Sequence, residues 1–573
     1  MIRNPLSFRW PYQGVVDVWP RSQRDPSVTP AAQNVLPMDA LGRRRGAVRP
    51  GLNLWGTDSY AGGIQSIVFT RYASGSNILT AYCVIAGGRL YIDGTAADRT
   101  LGLGELTASG TTAKLADYYR TFAVGDTCVV FDAVPTDYNG TWTISSRDAD
   151  YVYWTLNSTP SGPATQGKVY LRLNPANPVQ AVAAAGGYVF FVDGAGYPAY
   201  IHLPSRSNFY LRRWYGFKYD PPQDTTLVTL WRERLVLAGP NQNWYMSRSG
   251  CYGDWNYGAL DAAAAVAGNA ANSRVAGGIS EPLKAIVPLS DDYLLLLHHQ
   301  RAFLMRGDPA AGGQIVQIGE QVGIAGPNAC CVDSRGIAWI AGRNGLWRTD
   351  GGPPENVSRG RYEKFFNDID EDAETVFVAY DGRRNGLWIA RWTDAQTPVE
   401  AVFYDISNGG FWPQQWAGEL GPLAMTVDEH DGTIIIGGND GHLRWFDPAT
   451  VYDDGDTPFH AWCWMGPHAP LDGKQNVKLN GLWATLGERP PDMSEQEWNA
   501  QWQIQTGDTE YRALENPREM TSGMWSTDGP QKRAGVRLYG PQVMLRIGND
   551  QTSGGYWSFE EAWCETLAGG RRR

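Results

Sequence analysis

Apolar and polar positions along this chain follow a short repeated pattern of two brief strands joined by a tight turn. The clearest copy runs from Gly336 to Asp350, GIAWIAGRNGLWRTD. Ile337, Trp339 and Gly342 mark one strand, Leu346 and Trp347 a second, and Asn344 with Gly345 the turn between them. Asn-Gly between alternating runs is a strong hairpin signal, because the favoured two-residue turn needs positive φ at both central positions. The same phrase returns at Gly87 to Asp93 (GGRLYID), at Gly386 to Ile389 (GLWI), and from Asp431 through Phe446. Looser copies lie at Gly187 to Asp193, Arg234 to Ala238 and Tyr293 to Met305. Segments 178–222, 223–278, 279–325, 326–372, 373–419 and 420–465 each carry such a pair near the middle. Their lengths of roughly 45 to 55 residues match one four-stranded propeller blade. With an interrupted blade near 62–97, the expected fold is all-β: a β-propeller of about seven blades, six to eight fitting the spacing.

Three stretches break the rhythm. Residues 1–61 are rich in Pro and Arg and predict an extended N-terminal arm, either a solvated lead-in or a lock on a neighbouring subunit. Between 98 and 172 a different unit appears, with short alternating strands around Val129 to Phe131, Trp142 to Ile144 and Tyr151 to Trp154. It reads as an inserted small β-barrel or sandwich standing off the main body. The propeller then occupies 62–97 and 173–467. Residues 468–573 alternate over five or more strands and predict a C-terminal β-sandwich with a basic tail. Within it, Pro490 to Trp498 predicts a short helix capped by Ser494 and Glu497.

Composition agrees with many short strands and turns: 24 Trp, 28 Tyr and 67 Gly in 573 residues. A net charge of −11 argues against a surface that grips nucleic acid or anionic lipid. Met1 to Pro5 is followed by no apolar signal region, and no apolar run is long enough for a membrane span, so no membrane insertion is expected. Seven scattered cysteines with no CxxC pair predict free thiols.

Candidate chemistry is sparse. Of the seven His, only His298 and His299 are adjacent, and strand neighbours point to opposite faces. The run Asp368, Asp370, Glu371, Asp372 and Glu374 invites a calcium reading but lacks the glycine of an EF-hand loop, and a solvated inter-blade loop explains it more simply. Asp453 to Asp456 is a weaker version of the same idea. Paired carboxylates for glycoside hydrolysis would come from distant blades, and nothing marks a pair. The expectation is therefore no catalytic residue, no metal site and no cofactor. The many aromatics are read as packing between blades ahead of a carbohydrate site.

Several strings resemble proteins of tailed bacteriophages. They are Asn243 to Gly250 (NWYMSRSG), Gly253 to Gly258 (GDWNYG), Phe303 to Pro309 (FLMRGDP) with Gly312 to Ile315, and the block Ala31 to Gly51. The end, Gly555 to Trp557 and on to Arg573, is similar in style. The chain thus resembles the tail nozzle or hub proteins of short-tailed phages. That resemblance implies a structural virion protein of the tail, made in the host cytoplasm, with six copies in a ring below the adaptor. It implies a homohexamer that extends the DNA ejection channel, contacts adaptor or head-to-tail connector proteins, and attaches fibres or spikes or gates DNA. Duplex DNA would pass through an acidic lumen without specific binding, since a lumen rich in Lys and Arg would hold phosphates. Arg43, Arg44, Arg45, Arg49, Arg571, Arg572 and Arg573 are the expected subunit contacts. Two other readings stay open: a propeller hydrolase or lyase acting on surface polysaccharide, and a head-to-tail connector or other tail component.

Overall fold

The computed structural model describes residues 4–571 apart from 19–24, 205–209, 240–242, 270–281, 394–398, 429, 471–474, 495–496 and 530–531. Among the described residues, seven four-stranded antiparallel sheets stand around one axis. Their first strands are Ile64–Ser74, Gln180–Ala184, Leu227–Trp231, Leu283–Ser290, Cys330–Val332, Glu374–Asp381 and Ala424–Asp428. Each neighbours the next and the last returns to the first, which makes the sheets blades of a β-propeller. We number the blades one to seven in that order.

In most blades the second strand is covered on both faces by adjacent blades and is largely apolar. Leu294 to Leu297 and Thr433–Gly437 are buried throughout. Blades five and six share a further device. An aspartate at the first turn, Asp333 or Asp381, accepts the indole N–H of Trp339 or Trp388 at 3.1 Å in both cases. The hairpin at 336–350 differs from the sequence reading in one detail. Gly342 pairs with Gly345, so the turn residues are Arg343 and Asn344, and positive φ falls on Gly345 at 124°. A side chain at Gly345 would collide with Ser358 Oγ, so close packing as well as turn geometry calls for glycine there.

The N-terminal arm expected over 1–61 is not free. Asn4–Arg9 and Gly46–Val48 both pair with Ser558–Arg571, and Ala32–Gln33 pairs with Trp462–His468. Gly51–Ser59 then pairs with His442–Asp447 and becomes the fourth strand of blade seven. Segment 420–465 therefore supplies three strands of its blade and borrows the fourth from near the N-terminus. The reason is burial. Leu52 is fully buried and Trp10 stacks on Trp412 of blade six at 5.3 Å, so these residues are core.

The C-terminal β-sandwich consists of two sheets. One orders Val35–Leu36, Gly46–Val48, Ser558–Arg571, Gln475–Leu486 and Lys532–Gly540, with Asn4–Arg9 also on Ser558–Arg571. The other orders Ala32–Gln33, Trp462–His468, Gln542–Gly548, Ala500–Gly507 and Glu519–Trp525. Trp462–His468 thus belongs to the sandwich, and the boundary moves from 467/468 to before Trp462. Residues 495 and 496 of the expected short helix lie outside the described residues, while the Glu497 carboxylate accepts the Ser494 N–H at 2.5 Å. The sandwich carries a six-residue helix at Glu510–Glu515, capped by Thr509.

The inserted unit is a pair of four-stranded sheets, one built on Thr127–Val134 and Gln166–Arg172, the other on Thr112–Ala116 and Tyr151–Thr155. It does not stand off the body. Leu171 and Leu173 share one apolar core with Cys83 and Ile85 of blade one and Phe191 and Ile201 of blade two. Across the same seam the buried Arg213 guanidinium donates to Asp126 at 2.8 and 3.0 Å.

One ion pair joins the closing strand to the rest. Arg49 is fully buried and grips Asp453 with both terminal nitrogens, at 2.9 and 2.7 Å, while lying over the Phe459 ring at 3.7 Å. Asp453 also accepts the Leu52 N–H at 2.8 Å. Arg49→Ala is expected to cost about 3–5 kcal/mol by stranding a buried carboxylate, with partial recovery in Arg49→Ala/Asp453→Ala. Thermal midpoints of the three proteins check this.

A second prediction concerns pH. His468 packs edge-on against Phe8 at 4.9 Å, and burial pushes its pKa down from 6.5 to about 4. Between those values the unfolded chain binds more protons than the folded one. Stability present above pH 6.5 is therefore lost as pH falls toward 4, by at most about 2 kcal/mol at pH 5 from this group. His468→Phe should flatten that part of the curve of melting temperature against pH.

Candidate functional site

A cavity of about 740 Å³ lies where the inserted unit roofs one end of the propeller. Its floor is the start of the inner strands, with Gly62, Gly63, Leu423 and Thr375, and its roof is Val129, Thr141, Tyr170 and Arg172. The glycines let the floor pack closely: a Cβ on Gly63 would meet Leu423 at 2.4 Å. Gln65 ties floor to wall, donating to Asn174 O at 2.8 Å and Asn177 O at 2.6 Å and accepting the Gly88 N–H at 2.7 Å.

The charged groups in the described lining are two arginines. Arg89 is ion-paired with Asp98 and lies against Tyr170 at 4.8 Å and Phe131 at 5.0 Å. Arg172 donates through Nε to Gly87 O at 3.3 Å. Burial raises the Tyr170 hydroxyl above its ordinary pKa. The lining holds no carboxylate among the described residues, so acid–base chemistry by a carboxylate pair has no residues to carry it there. What the cavity offers is shape, aromatic surface and two fixed guanidiniums.

The propeller axis itself is constricted. Its cavity of about 330 Å³ is lined by the inner strands of blades one, two and seven. Gln180 Nε2 of blade two donates to Asn328 Oδ1 at the entry of blade five at 2.8 Å, and Val378 N–H of blade six binds Asn328 O at 2.9 Å. A duplex cannot thread an axis bridged in this way.

The residues singled out by sequence are dispersed by the fold. His298 is buried in blade four, whereas His299 Nδ1 lies 2.6 Å from Glu371 Oε2, and Lys284 pairs with the same carboxylate. This Lys284, His299 and Glu371 cluster has no sequence signal, because its members come from two blades. The acidic run does not converge on an ion. Glu374 binds Arg391 at 2.8 Å, Glu371 binds Lys284, and Asp370 accepts the Asp372 N–H. No group of three potential metal ligands occurs among the described residues.

The expected subunit contacts fare unevenly. Arg49 is internal, which removes it as a contact between subunits, because its guanidinium is spent on Asp453. Arg43, Arg44 and Arg45 reach Glu488, Asp405 and Asp39 of the same chain at 2.8, 2.8 and 3.3 Å, though Arg43 and Arg44 remain exposed. Arg571 ends the long strand Ser558–Arg571, while Arg572 and Arg573 lie outside the described residues.

No protein-family model matches the chain. No curated protein matches it. Among solved structures, it is similar to the computationally designed Ika8 protein, with 10% identity and a TM-score of 0.35, covering 69% of this chain and 99% of that one. It is also similar to a chain of the mitotic checkpoint complex, with 10% identity and a TM-score of 0.33, covering 62% and 95%. The propeller assignment rests on the closed ring of sheets.

Removing the axial tie tests its role. Asn328→Ala deletes the acceptor for Gln180 and is expected to cost about 1 kcal/mol, seen as a lower thermal midpoint. Gln180→Ala in the same background should then cost little more, because the two side chains act as one bond.

Proposed function

We propose that this protein is a structural subunit of a bacteriophage tail, a nozzle or hub that assembles as a ring of identical copies. Six copies is the expected number, with the adaptor above and fibres or spikes at the side. The observation that carries the reading is the exposure of large apolar side chains at two separate places. Met520 and Met524 stand outward on Glu519–Trp525, an edge strand of the C-terminal sandwich, at 58% and 57% exposure. Leu103 and Val124, at 79% and 60%, stand outward on the inserted unit. A head-to-tail ring needs two different patches on each subunit, one to give and one to receive, whereas a two-fold dimer needs only one. Exposed large apolar side chains on an unpaired strand edge are a liability in a monomer and are explained when a neighbour covers them.

The internal construction suits such a role. Asn4–Arg9 and Ser558–Arg571 pair within one sandwich sheet, and the inserted unit is docked by a buried ion pair. With the propeller axis bridged, the DNA path is the hole at the centre of the ring. A net charge of −11 per copy gives that assembly an acidic character that does not retain phosphates. In this reading the chain positions other molecules and turns over no substrate.

Mass photometry and negative-stain imaging of the purified chain test the proposal. The expected result is a ring, six times the 63.1 kDa subunit, with an axial hole wide enough for duplex DNA. A persistent monomer at micromolar concentration would overturn it. Met520→Glu/Met524→Glu should shift the ring toward monomers while circular dichroism stays unchanged, because both side chains are exposed in the isolated fold.

A further inference from the structure

Two turns, one on the inserted unit and one on blade two, carry a cluster of exposed aromatic side chains. The first joins Thr112–Ala116 to Thr127–Val134 and carries Tyr118, Tyr119, Arg120 and Val124, all exposed. The second follows Arg212–Arg213 and carries Phe217 and Tyr219, at 79% and 66% exposure. Tyr119, Arg120 and Phe217 border the same cleft, so the two turns are neighbours.

Both turns are rigid. Arg120 has a φ of 53° and Tyr219 of 68°, in the left-handed region that side chains other than glycine rarely adopt. The buried Asp117 carboxylate fixes the first turn by accepting the Thr121 and Phe122 N–H groups at 2.8 and 3.2 Å, and Arg147 anchors Asp117 at 2.6 Å. The second is held by the Phe217 N–H on Gly253 O at 2.7 Å and the Trp255 N–H on Lys218 O at 3.2 Å. Side chains presented by fixed backbone lose little freedom on binding. Lys218 and Asp220 offset one another in charge, which leaves Arg120 as the net charge of the cluster.

The C-terminal sandwich presents the complementary chemistry. Met520 pairs with Gln505 across the sheet, and Gln505 donates to Ala513 O at 2.5 Å, so Met520 stands beside the helix Glu510–Glu515 with its exposed Tyr511. Met524 is exposed on the same face of the strand. Around them the chain carries Asp508, Glu510, Glu515 and Glu519 against Arg512 and Arg518. That surface is thioether-bearing and net acidic.

We propose that these two surfaces are the two halves of one subunit contact. Met520 and Met524 of one copy seat on the rings of Tyr119 and Phe217 of the next, with Arg120 facing the acids beside the methionines. The inference rests on the ring reading above and names the residues that meet. Thioether sulfur and aromatic rings attract one another, and an unbranched methionine fits an irregular aromatic surface. Tyrosine and arginine are the residues on which interface affinity concentrates. A second copy suits the cluster better than a nucleic acid does, because one guanidinium makes no row for successive phosphates.

Mixing two broken variants tests the pairing by mass photometry. Tyr119→Glu/Phe217→Glu removes the aromatic half and Met520→Glu/Met524→Glu the methionine half. All four side chains are exposed, so circular dichroism should match the parent. Each variant alone should stay monomeric at a concentration where the parent forms rings. Mixed in equal amounts, they should give a species of twice the 63.1 kDa subunit, because each pair keeps one intact contact and cannot extend further. Arg120→Gly, which also relaxes the left-handed backbone, should raise the concentration for half-assembly about tenfold. The inference is overturned, with the ring reading left standing, if the parent forms rings and the mixture stays monomeric, or if Tyr119→Glu/Phe217→Glu or Arg120→Gly assembles as the parent does. A parent that is itself monomeric at micromolar concentration overturns both.

Discussion

A propeller made from one chain has to be closed, and here closure is made by the strand Gly51–Ser59 lying on His442–Asp447 across more than half of the sequence. Without it, blade seven would expose the outer edge of His442–Asp447 and the stacking of blade seven on blades six and one would lose its support. The strand is fixed at its start by the buried Arg49 and Asp453 pair, which binds the side chain of one segment and the Leu52 N–H of the closing strand to the same carboxylate. A buried ion pair contributes little net stability against an apolar replacement, but removing one partner is costly. Its role is therefore register: it specifies which strand closes the ring and where.

Closure draws the two ends of the chain into one body. Residues before the closing strand form part of both sheets of the C-terminal sandwich, and Trp10 lies between Trp412 of blade six and Trp557 of the sandwich. Large aromatics recur at such seams. Trp388 of blade six stacks on Phe446 of blade seven at 4.0 Å, filling the wedge that opens between radiating sheets. The inserted unit is joined by the same means, an apolar core shared with blades one and two and a buried arginine–aspartate pair across the seam.

This economy bears on function. The axis of the propeller is tied by Gln180 and Asn328, and two of its cavities lie at the seams with the inserted unit. Both cavities flanking the inserted unit are lined by aromatics and arginine, yet they differ. In the larger one Arg89 is neutralised by Asp98 and Arg172 is turned onto the backbone. In the smaller one Arg120 lies over Tyr215 at 5.6 Å, and Arg212 lies against Tyr210 at 4.5 Å.

Much of this was legible in the chain itself. Local rules act within a few residues, so the hairpin phrase at Gly336–Asp350, the buried second strands and the interruption at 98–172 could be read from periodicity and turn residues alone. Even there the turn sat one residue earlier than Asn344 and Gly345 suggested, because packing against Ser358 and Asn356 places the glycine on the strand. What could not be read were partnerships between distant segments. Arg49 resembled a surface lock and Asp453 a solvated acid until the fold set them 2.7 Å apart inside the core. Residues 1–61 read as an extended arm because Ala32–Gln33, Val35–Leu36 and Gly46–Val48 are too short to carry periodicity, and distant partners in the sandwich and in blade seven give the segment its structure. Lys284, His299 and Glu371 carried no signal either, since their meeting depends on which blades face each other and not on the spacing of the residues. The sequence determined the repeating unit, because a hairpin is a local energy minimum. The tertiary structure decided closure, docking and the clefts, because these are contacts between segments that share no local rule.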